Sequence, residues 1–299
     1  MDHRSFIQSL SSGQRQALTR KSNSAALQRL ALHWGAIVLT GWLIVERVVL
    51  WPLLLVLQGV LIIFLFTLLH ETIHRTAFAT RAANDRVAFV CGFLVILCPQ
   101  WFRYFHFEHH RFTQHPHKDP ELATPKPVTR WQYAKHLSGI PVWLGQLRVL
   151  LGNATGASRS AYIPGGGSII VQREARLFIS GYVLLMVISV WLSTTVLLYV
   201  WLLPVLLGQP FLRFYLLAEH ANCAMVENMF VNTRTTFTSS LVRLITWNMP
   251  YHAEHHAYPA VPFHRLEQLH KLMRNYLQET EQGYLAFNKK YIQSLSSKR

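Results

Sequence analysis

Charged residues are scarce in this sequence. Of its 299 residues, 14% are charged and 51% are hydrophobic, whereas about 25% of a typical soluble domain is charged. This deficit points to an integral membrane protein. Acidic residues are fewer than basic ones: the sequence has 14 Asp and Glu and 29 Lys and Arg, which gives a formal net charge of +15. We interpret that excess as positive charge that faces anionic lipid headgroups or a cytoplasmic surface. No basic stripe interleaved with aromatic residues supports nucleic acid as a partner.

Cysteine is also rare. Cys91, Cys98 and Cys223 form neither a C-x-x-C motif nor an even number that could pair as disulfides, so we interpret them as small apolar residues.

The N-terminal segment 1–29 is polar and basic and lacks the apolar core of a signal peptide. Residues 152–168 are rich in Gly and Ser and predict a flexible loop.

What the chain does contain is long apolar stretches. Residues 177–212 carry no charge, and one helix of that length would extend roughly 54 Å against a hydrocarbon core of about 30 Å. We therefore predict two spans joined by a turn near residues 193–195. Residues 30–45 and 48–69 have the same form. The run 87–98 is too short to cross and predicts an interfacial or re-entrant segment.

The distribution of Lys and Arg orients these spans. Basic loops tend to stay in the cytoplasm, so we expect the basic segments outside the hairpins to lie there. Together with the apolar runs, this predicts an all-α integral membrane protein with about four transmembrane helices in two hairpins and a cytoplasmic helical cap. The chain is expected to form one domain, residues 1–299. Its successive parts are a polar cytoplasmic N-terminus (1–29), a first hairpin (30–69), a cytoplasmic region (70–176), a second hairpin (177–218) and a second cytoplasmic region (219–299).

Three histidine clusters lie in the two long cytoplasmic regions, with the spacings H-x-x-x-H, H-x-x-H-H and H-x-x-H-H. Since residues three and four apart share a helix face, each cluster is expected to aim its imidazoles at one point. Eight such side chains are too many for one four-coordinate zinc and predict two metal ions. His220, just past the fourth span, is a ninth candidate on the same predicted face. The candidate ligands are His70 and His74 (box 1), His106, His109 and His110 (box 2), His252, His255 and His256 (box 3), and His220.

Polar residues in or beside the boxes are candidates for supporting these ligands. Neutral imidazole suits iron, zinc, copper and nickel, and a metal-bound histidine usually donates its other N–H to a carboxylate or carbonyl. We assign this role, as a group, to Glu71, Glu108, Asp119, Glu121, Glu219, Glu254 and Asn248. The remaining histidines lie far from the boxes or have no partner at ligand spacing, and we exclude them: His3, His33, His115, His117, His136, His264 and His270.

The three boxes, their order and the paired hairpins resemble the membrane fatty acid desaturase and hydroxylase superfamily. The resemblance covers roughly residues 30–270 and rests on His70-Glu-Thr-Ile-His74, His106-Phe-Glu-His-His110 and Asn248-Met-Pro-Tyr-His-Ala-Glu-His-His256. It implies a centre of two iron ions bound by these histidines, O₂ as co-substrate, and an external electron donor of the ferredoxin, rubredoxin or cytochrome b5 type with its reductase. A histidine between the fourth span and the third box is also a family feature, and His220 fits that place.

The resemblance predicts an O₂-dependent oxidoreductase, most simply a fatty acid or lipid desaturase acting on an acyl or alkyl chain. The H-x-x-H-H spacing of box 2 is desaturase-like, whereas alkane-hydroxylase-like members tend to have one more residue there. The alternative on the same scaffold is hydroxylation of an alkyl substrate or of a small amine or amino-acid derivative.

Two further interpretations come from other classes. Box 1 also matches H-E-x-x-H, the zinc-protease motif. At the end of a membrane span this motif would suggest an intramembrane protease. That interpretation leaves at least five clustered histidines unexplained. A metal transporter or haem-binding protein would place ionisable ligands along a path inside the spans, whereas these ligands gather at one end.

Overall fold

The structure, a computed structural model, describes residues 1–158 and 160–296. Within these residues the regular secondary structure is almost wholly helical, with one small parallel sheet and short 3₁₀ and π segments between the α-helices. The elements are α1 (His3–Ser9), α2 (Ser12–Thr19), α3 (Asn23–Val45), α4 (Trp51–Ile63), α5 (Leu65–Ile73), α6 (Arg81–Leu94), α7 (Pro99–Phe112), a 3₁₀ turn (Pro120–Ala123), α8 (Arg130–Leu137), α9 (Ile140–Thr155), α10 (Gly165–Trp191), a π segment (Leu198–Leu202), α11 (Leu203–His220), α12 (Met229–Asn232), β1 (Thr235–Thr236), α13 (Ser240–Ile245), α14 (His252–Ala257), a 3₁₀ turn (Phe263–Arg265), α15 (Leu266–Met273), β2 (Thr280–Glu281) and α16 (Tyr284–Ser294).

Among the described residues, four helical segments are long and apolar enough to cross a membrane: Ser12–Val45, Trp51–Ile73, Gly165–Trp191 and Leu198–His220. Their number and the all-helical character agree with the sequence prediction. The predicted turn near residues 193–195 is confirmed, since α10 ends at Trp191 and Ser193 has a left-handed φ of 47°. The first segment begins earlier than predicted, because the polar N-terminal region is itself largely helical.

Two of the spans, α4 and α11, pack backbone against backbone. A Cβ on Gly208 would lie 2.2 Å from the carbonyl oxygen of Gly59, and a Cβ on Gly59 would lie 2.2 Å from the carbonyl oxygen of Pro204. Only glycine allows this approach. His70 follows Gly59 by 11 positions and His220 follows Gly208 by 12. From this contact both chain segments therefore run in the same direction to the histidine site.

The apolar run 87–98 occupies the end of α6 and its bend into α7. The two helices are bent by 101°, and Ile96 has a left-handed φ of 58° at the bend. Cys91 on α6 is fully buried, and α6 packs along α5. This geometry is that of a broken span or a re-entrant segment, and it aims α7, which carries box 2, at the end of α5.

The flexible loop predicted for residues 152–168 is wrong at both ends. Helix α9 continues to Thr155 and α10 begins at Gly165. Gly167 lies in the first turn of α10, where a Cβ would be 2.7 Å from the Tyr104 hydroxyl. The glycine thus serves close packing against α7, which composition alone does not distinguish from loop flexibility.

Candidate metal centre

Four helices deliver the nine candidate histidines to one buried site. Box 1 lies at the C-terminal end of α5, box 2 on the last two turns of α7, His220 at the end of α11 and box 3 on α14. Seven of the nine residues are at most 5% exposed, and His74 and His110 are half-buried. The structure therefore brings together all nine residues singled out from the sequence.

The histidines separate into two groups. In the five-histidine group the potential ligand atoms all lie within 4.8 Å of one another, and the members are His70, His74, His106, His110 and His255. The same limit joins His109, His220 and His256. His252 adds to this second set, because its Nε2 atom lies 3.1 Å from that of His220. We call these four residues the four-histidine group.

This division corrects the expectation that each box aims at one point. The two histidines of each i,i+4 pair stay in one group. The middle histidine of box 2, His109, and that of box 3, His255, each join the other group. His109 and His110 diverge because neighbouring residues are about 100° apart around a helix. His255 leaves box 3 for the five-histidine group in the same way. Boxes 2 and 3 therefore contribute to both groups, which are linked by stacked His110 and His256 rings with centroids 4.1 Å apart.

The spacings between nitrogens suit shared metal ligation. Two imidazoles on one ion, each about 2.1 Å from it and separated by 90–109°, have nitrogens about 3.0–3.4 Å apart. The Nε2 atoms of His109 and His220 are 3.2 Å apart, and those of His220 and His252 are 3.1 Å apart. In the five-histidine group the Nε2 atoms of His106 and His110 are 2.8 Å apart, slightly closer than this range.

In the four-histidine group, contacts at Nδ1 leave Nε2 directed into the site. The Nδ1–H of His109 donates to Asp119 Oδ1 (2.9 Å). The Nδ1–H of His220 donates to the Asn232 carbonyl oxygen (3.3 Å). That of His256 donates to the Thr113 hydroxyl (3.2 Å). These bonds fix the tautomer that presents an unprotonated Nε2, as metal ligation requires.

Several imidazole nitrogens are buried without a hydrogen-bond partner in the described part of the chain. They are both nitrogens of His70 and His255, Nε2 of His74 and His256, and Nδ1 of His110 and His252. An unsatisfied buried polar atom costs about 1–3 kcal/mol, so this concentration is unfavourable unless another group completes it. Burial also lowers the pKa of His74, His255 and His256 well below the usual histidine value, and the neutral imidazole is the form that binds a metal. The residues fit two metal ions.

Three of the predicted supporting acids lie at the four-histidine group. Besides its bond to His109, Asp119 accepts from the backbone N–H of Gln114 (2.8 Å). Glu121 Oε2 is 3.9 Å from His109 Nδ1. Glu219 Oε1 is 3.5 Å from His252 Nδ1. Asp119 makes the direct hydrogen bond to His109, Glu121 lies beside the same ring, and Glu219 lies beside His252.

The other predicted supporting residues contact different partners. Glu71 accepts from the backbone N–H of Phe263 (3.0 Å), and the Asn248 amide donates to the carbonyl oxygen of the same residue (2.9 Å). Glu108 lies 3.8 Å from Arg111, whose side chain is largely exposed. Glu254 accepts hydrogen bonds from Thr235 and His270.

Sequence reasoning missed Thr113, Gln114, Asn232 and His270. Thr113 and Gln114 directly follow α7, and the Gln114 amide donates to the His220 carbonyl (2.7 Å). Thr113 lies one turn after His109, a spacing that a search for hydroxyls beside ligands would find. Asn232 acts on His220 through its backbone carbonyl, so its residue type carries no signal. His270 was excluded for lack of a partner at helical spacing, but it contacts Glu254 from a different helix.

A small cavity of about 40 Å³ touches both histidine groups. Histidines and two carboxylates, Glu121 and Glu219, line part of it. The remaining wall is largely apolar and is formed mainly by Phe66, Phe102, Leu216 and Met249. An apolar wall beside convergent polar groups is the usual form of a small-molecule site.

The zinc-protease interpretation does not fit this geometry. A catalytic zinc site has three protein ligands and an open position, whereas His70 and His74 share their position with three further histidines. The Glu71 carboxylate, which would be the general base, accepts from the Phe263 backbone and is fully buried.

A comparison with known protein families supports the assignment of the nine histidines to a metal centre. The model of the family described as Fatty acid desaturase matches residues 46–288. The match includes all nine histidines and the three spans from Trp51 onward. A comparison with curated proteins finds no match. The chain, a helical protein with membrane spans and clustered buried histidines, therefore belongs to the fatty acid desaturase family, whose members are membrane oxidoreductases.

Proposed function

We propose that the protein is an O₂-dependent desaturase that introduces a C=C bond into the alkyl chain of a fatty acid or lipid. The observation that carries the proposal is the division of nine buried or half-buried histidines into a group of five and a group of four. Two adjacent, nearly all-imidazole sites suit a pair of redox-active ions better than one structural zinc. The family match supports the same conclusion.

The ligand assignment follows the two groups. We assign one iron ion to His70, His74, His106, His110 and His255, and the other to His109, His220, His252 and His256. When bound, the iron pair would supply the activation of O₂ that attack on an unactivated C–H bond requires. Desaturation would remove two hydrogens from the substrate; these, together with two electrons from an external ferredoxin, rubredoxin or cytochrome b5 type carrier and two protons, reduce one O₂ to two water molecules.

The protein's own residues orient the ligands and exclude water. Asp119, Asn232 and Thr113 hold three ligands of the four-histidine group in one tautomer. Glu121 lies beside His109 and Glu219 beside His252, where negative charge would offset part of the charge of the metals. The apolar wall of the cavity would hold a methylene rather than water next to the site.

We place the site on the cytoplasmic side of the membrane. The support is charge: Lys and Arg concentrate in the segments that carry the boxes and in the N-terminal segment, and such segments stay inside. On this proposal the chain works as one membrane-embedded domain, and its electron donor approaches from the cytoplasm.

Lipid and metabolite mass spectrometry tests the activity. Cells expressing the wild-type chain are compared with cells expressing His109→Ala and with cells expressing His117→Ala, which removes an exposed histidine outside both groups. Desaturation predicts a product about two mass units lighter than its precursor, present with wild type and His117→Ala and absent with His109→Ala. A product about sixteen mass units heavier would instead identify a hydroxylase. No change in any lipid would contradict an acyl substrate.

A further inference from the structure

The helix that carries box 3 is short, although it supplies three of the candidate ligands. Helix α14 has six residues, all of them buried, and its N-cap, Tyr251, makes no side-chain capping bond. A helix this short is not stable on its own in water, so tertiary contacts must hold it. Yet α14 supplies ligands to both groups: His255 to the five-histidine group, and His252 and His256 to the four-histidine group.

One carboxylate on α14 is fully bonded to its surroundings. Glu254 is 0% exposed. Its Oε2 atom accepts from the Thr235 hydroxyl, and its Oε1 atom accepts from the Nδ1–H of His270. A buried carboxylate is tolerated only when it is paired and hydrogen-bonded, and here each oxygen has one strong donor.

Both donors belong to elements that are themselves fixed. Thr235 lies on β1, which pairs with β2 at Thr235↔Thr280. His270 lies on α15, whose neighbours Leu266, Leu269 and Met273 are fully buried. The two bonds therefore connect α14 to the small sheet on one side and to α15 on the other.

The surroundings of His270 favour one orientation of its ring. The ring lies beside those of Phe237 and Tyr251, with centroid separations of 5.5 and 5.2 Å. Its side chain is 15% exposed, and it lies outside both histidine groups. The sequence excluded His270 as a ligand; its position indicates a different task.

We propose that His270 is a positioning residue for box 3. Through the Glu254 carboxylate, and together with Thr235, it holds α14 in the orientation that directs His252, His255 and His256 into the two groups. The hold on α14 is a property of the metal-free chain. Its consequence for iron binding rests on the proposed function.

The direct test is hydrogen exchange of the metal-free, full-length protein in detergent. His270→Ala removes the donor to Glu254, and we expect the amides of residues 252–257 to exchange at least about tenfold faster, because local opening becomes easier. His117→Ala is the control and should leave these amides unchanged. Unchanged exchange in His270→Ala would overturn the proposal.

Two further variants separate the hydrogen bond from general packing. In His270→Asn the side-chain N–H is attached to Cγ, as the Nδ1 of histidine is, so it should restore protection of α14. In His270→Gln the N–H lies one bond farther out and should not. If His270→Ala fails to fold, this pair still decides: equal exchange in the Asn and Gln variants would contradict the hydrogen-bond role.

Iron titration then tests the consequence for the site. His270→Ala should bind iron about 10–100-fold more weakly, as is usual when an outer partner of metal ligands is lost, and His270→Asn should recover most of the affinity. If the wild-type chain binds no iron, the proposed function fails while the exchange result stands. If wild type binds two iron ions and His270→Ala binds them equally well, the inference fails and the proposed function stands.

Discussion

The Nε2 atoms of His109 and His220 lie 3.2 Å apart, although 111 positions separate the two residues in the sequence. Each ring is held at its other nitrogen, His109 by Asp119 and His220 by the Asn232 carbonyl. With both Nδ1 atoms donating, the two Nε2 atoms face each other, an arrangement that is repulsive unless a metal ion or a proton lies between them. This relationship is the strongest local reason to place a metal ion at the four-histidine group.

Removing His220 should empty one of the two metal positions. We expect His220→Ala to lower the iron content from about two to about one per chain, since only the four-histidine group loses a ligand. Desaturation should fall below detection. Inductively coupled plasma mass spectrometry of the purified protein measures the metal, and His117→Ala is the matched histidine control. Full iron content in His220→Ala would exclude His220 as a ligand.

Asp119 should act through its hydrogen bond to His109. Asp119→Asn keeps an oxygen acceptor but loses the charge, and Asp119→Ala loses both. Iron affinity should fall in the order wild type, Asn, Ala, with a loss of about 10–100-fold for the alanine variant. Glu108→Gln, which changes a carboxylate beside Arg111 outside both groups, is the control. Equal affinity in all four proteins would remove Asp119 from the site.

Filling the cavity should block the substrate without releasing the metal. Leu216 lines the cavity on α11, and Leu216→Phe adds volume where a methylene would approach the histidines. We expect full iron content and at least about tenfold lower desaturation, because a close-packed site tolerates little extra volume. Leu206→Phe, on the outward face of the same helix (54% exposed), should behave as wild type. Normal turnover in Leu216→Phe would place the substrate elsewhere.

The glycine contact between α4 and α11 should be essential for stability. Gly208→Ala places a methyl group against the Gly59 carbonyl oxygen, and such overpacking typically costs about 1–3 kcal/mol or more. The melting temperature of the protein in detergent should fall. Gly35→Ala is the control, since a Cβ there meets nothing within 4 Å and alanine favours a helix. An unchanged melting temperature in Gly208→Ala would show that the helices can separate slightly at no cost.

The sequence predicted the components of the site better than their grouping. Helical spacing identified the i,i+4 pairs, because that spacing depends only on the local helix. It did not identify the sharing of boxes 2 and 3 between the groups, because His109 and His255 find their partners on other helices. The direction of α7 depends on the 101° bend after α6; the length of the run 87–98 predicted an interfacial or re-entrant segment there but not the angle of the bend.

The supporting residues show the same limit. Asp119 was found because a carboxylate close to a box is visible in the sequence. The Asn232 carbonyl and His270 were not found, since one contact uses the backbone and the other connects α15 to α14. In the fold, apolar run length predicted the four spans, whereas the close packing of Gly59 on Gly208 could not be inferred from composition.

The metal content of the purified wild-type protein is the most direct test of the central claim that the two histidine groups hold two iron ions. The protein is expressed in iron-replete cells, purified in detergent, and analysed for all first-row transition metals against protein concentration. The account predicts about two iron ions per chain, falling to none when boxes 1 and 3 are both replaced by alanine. One zinc ion per chain with no iron would contradict it.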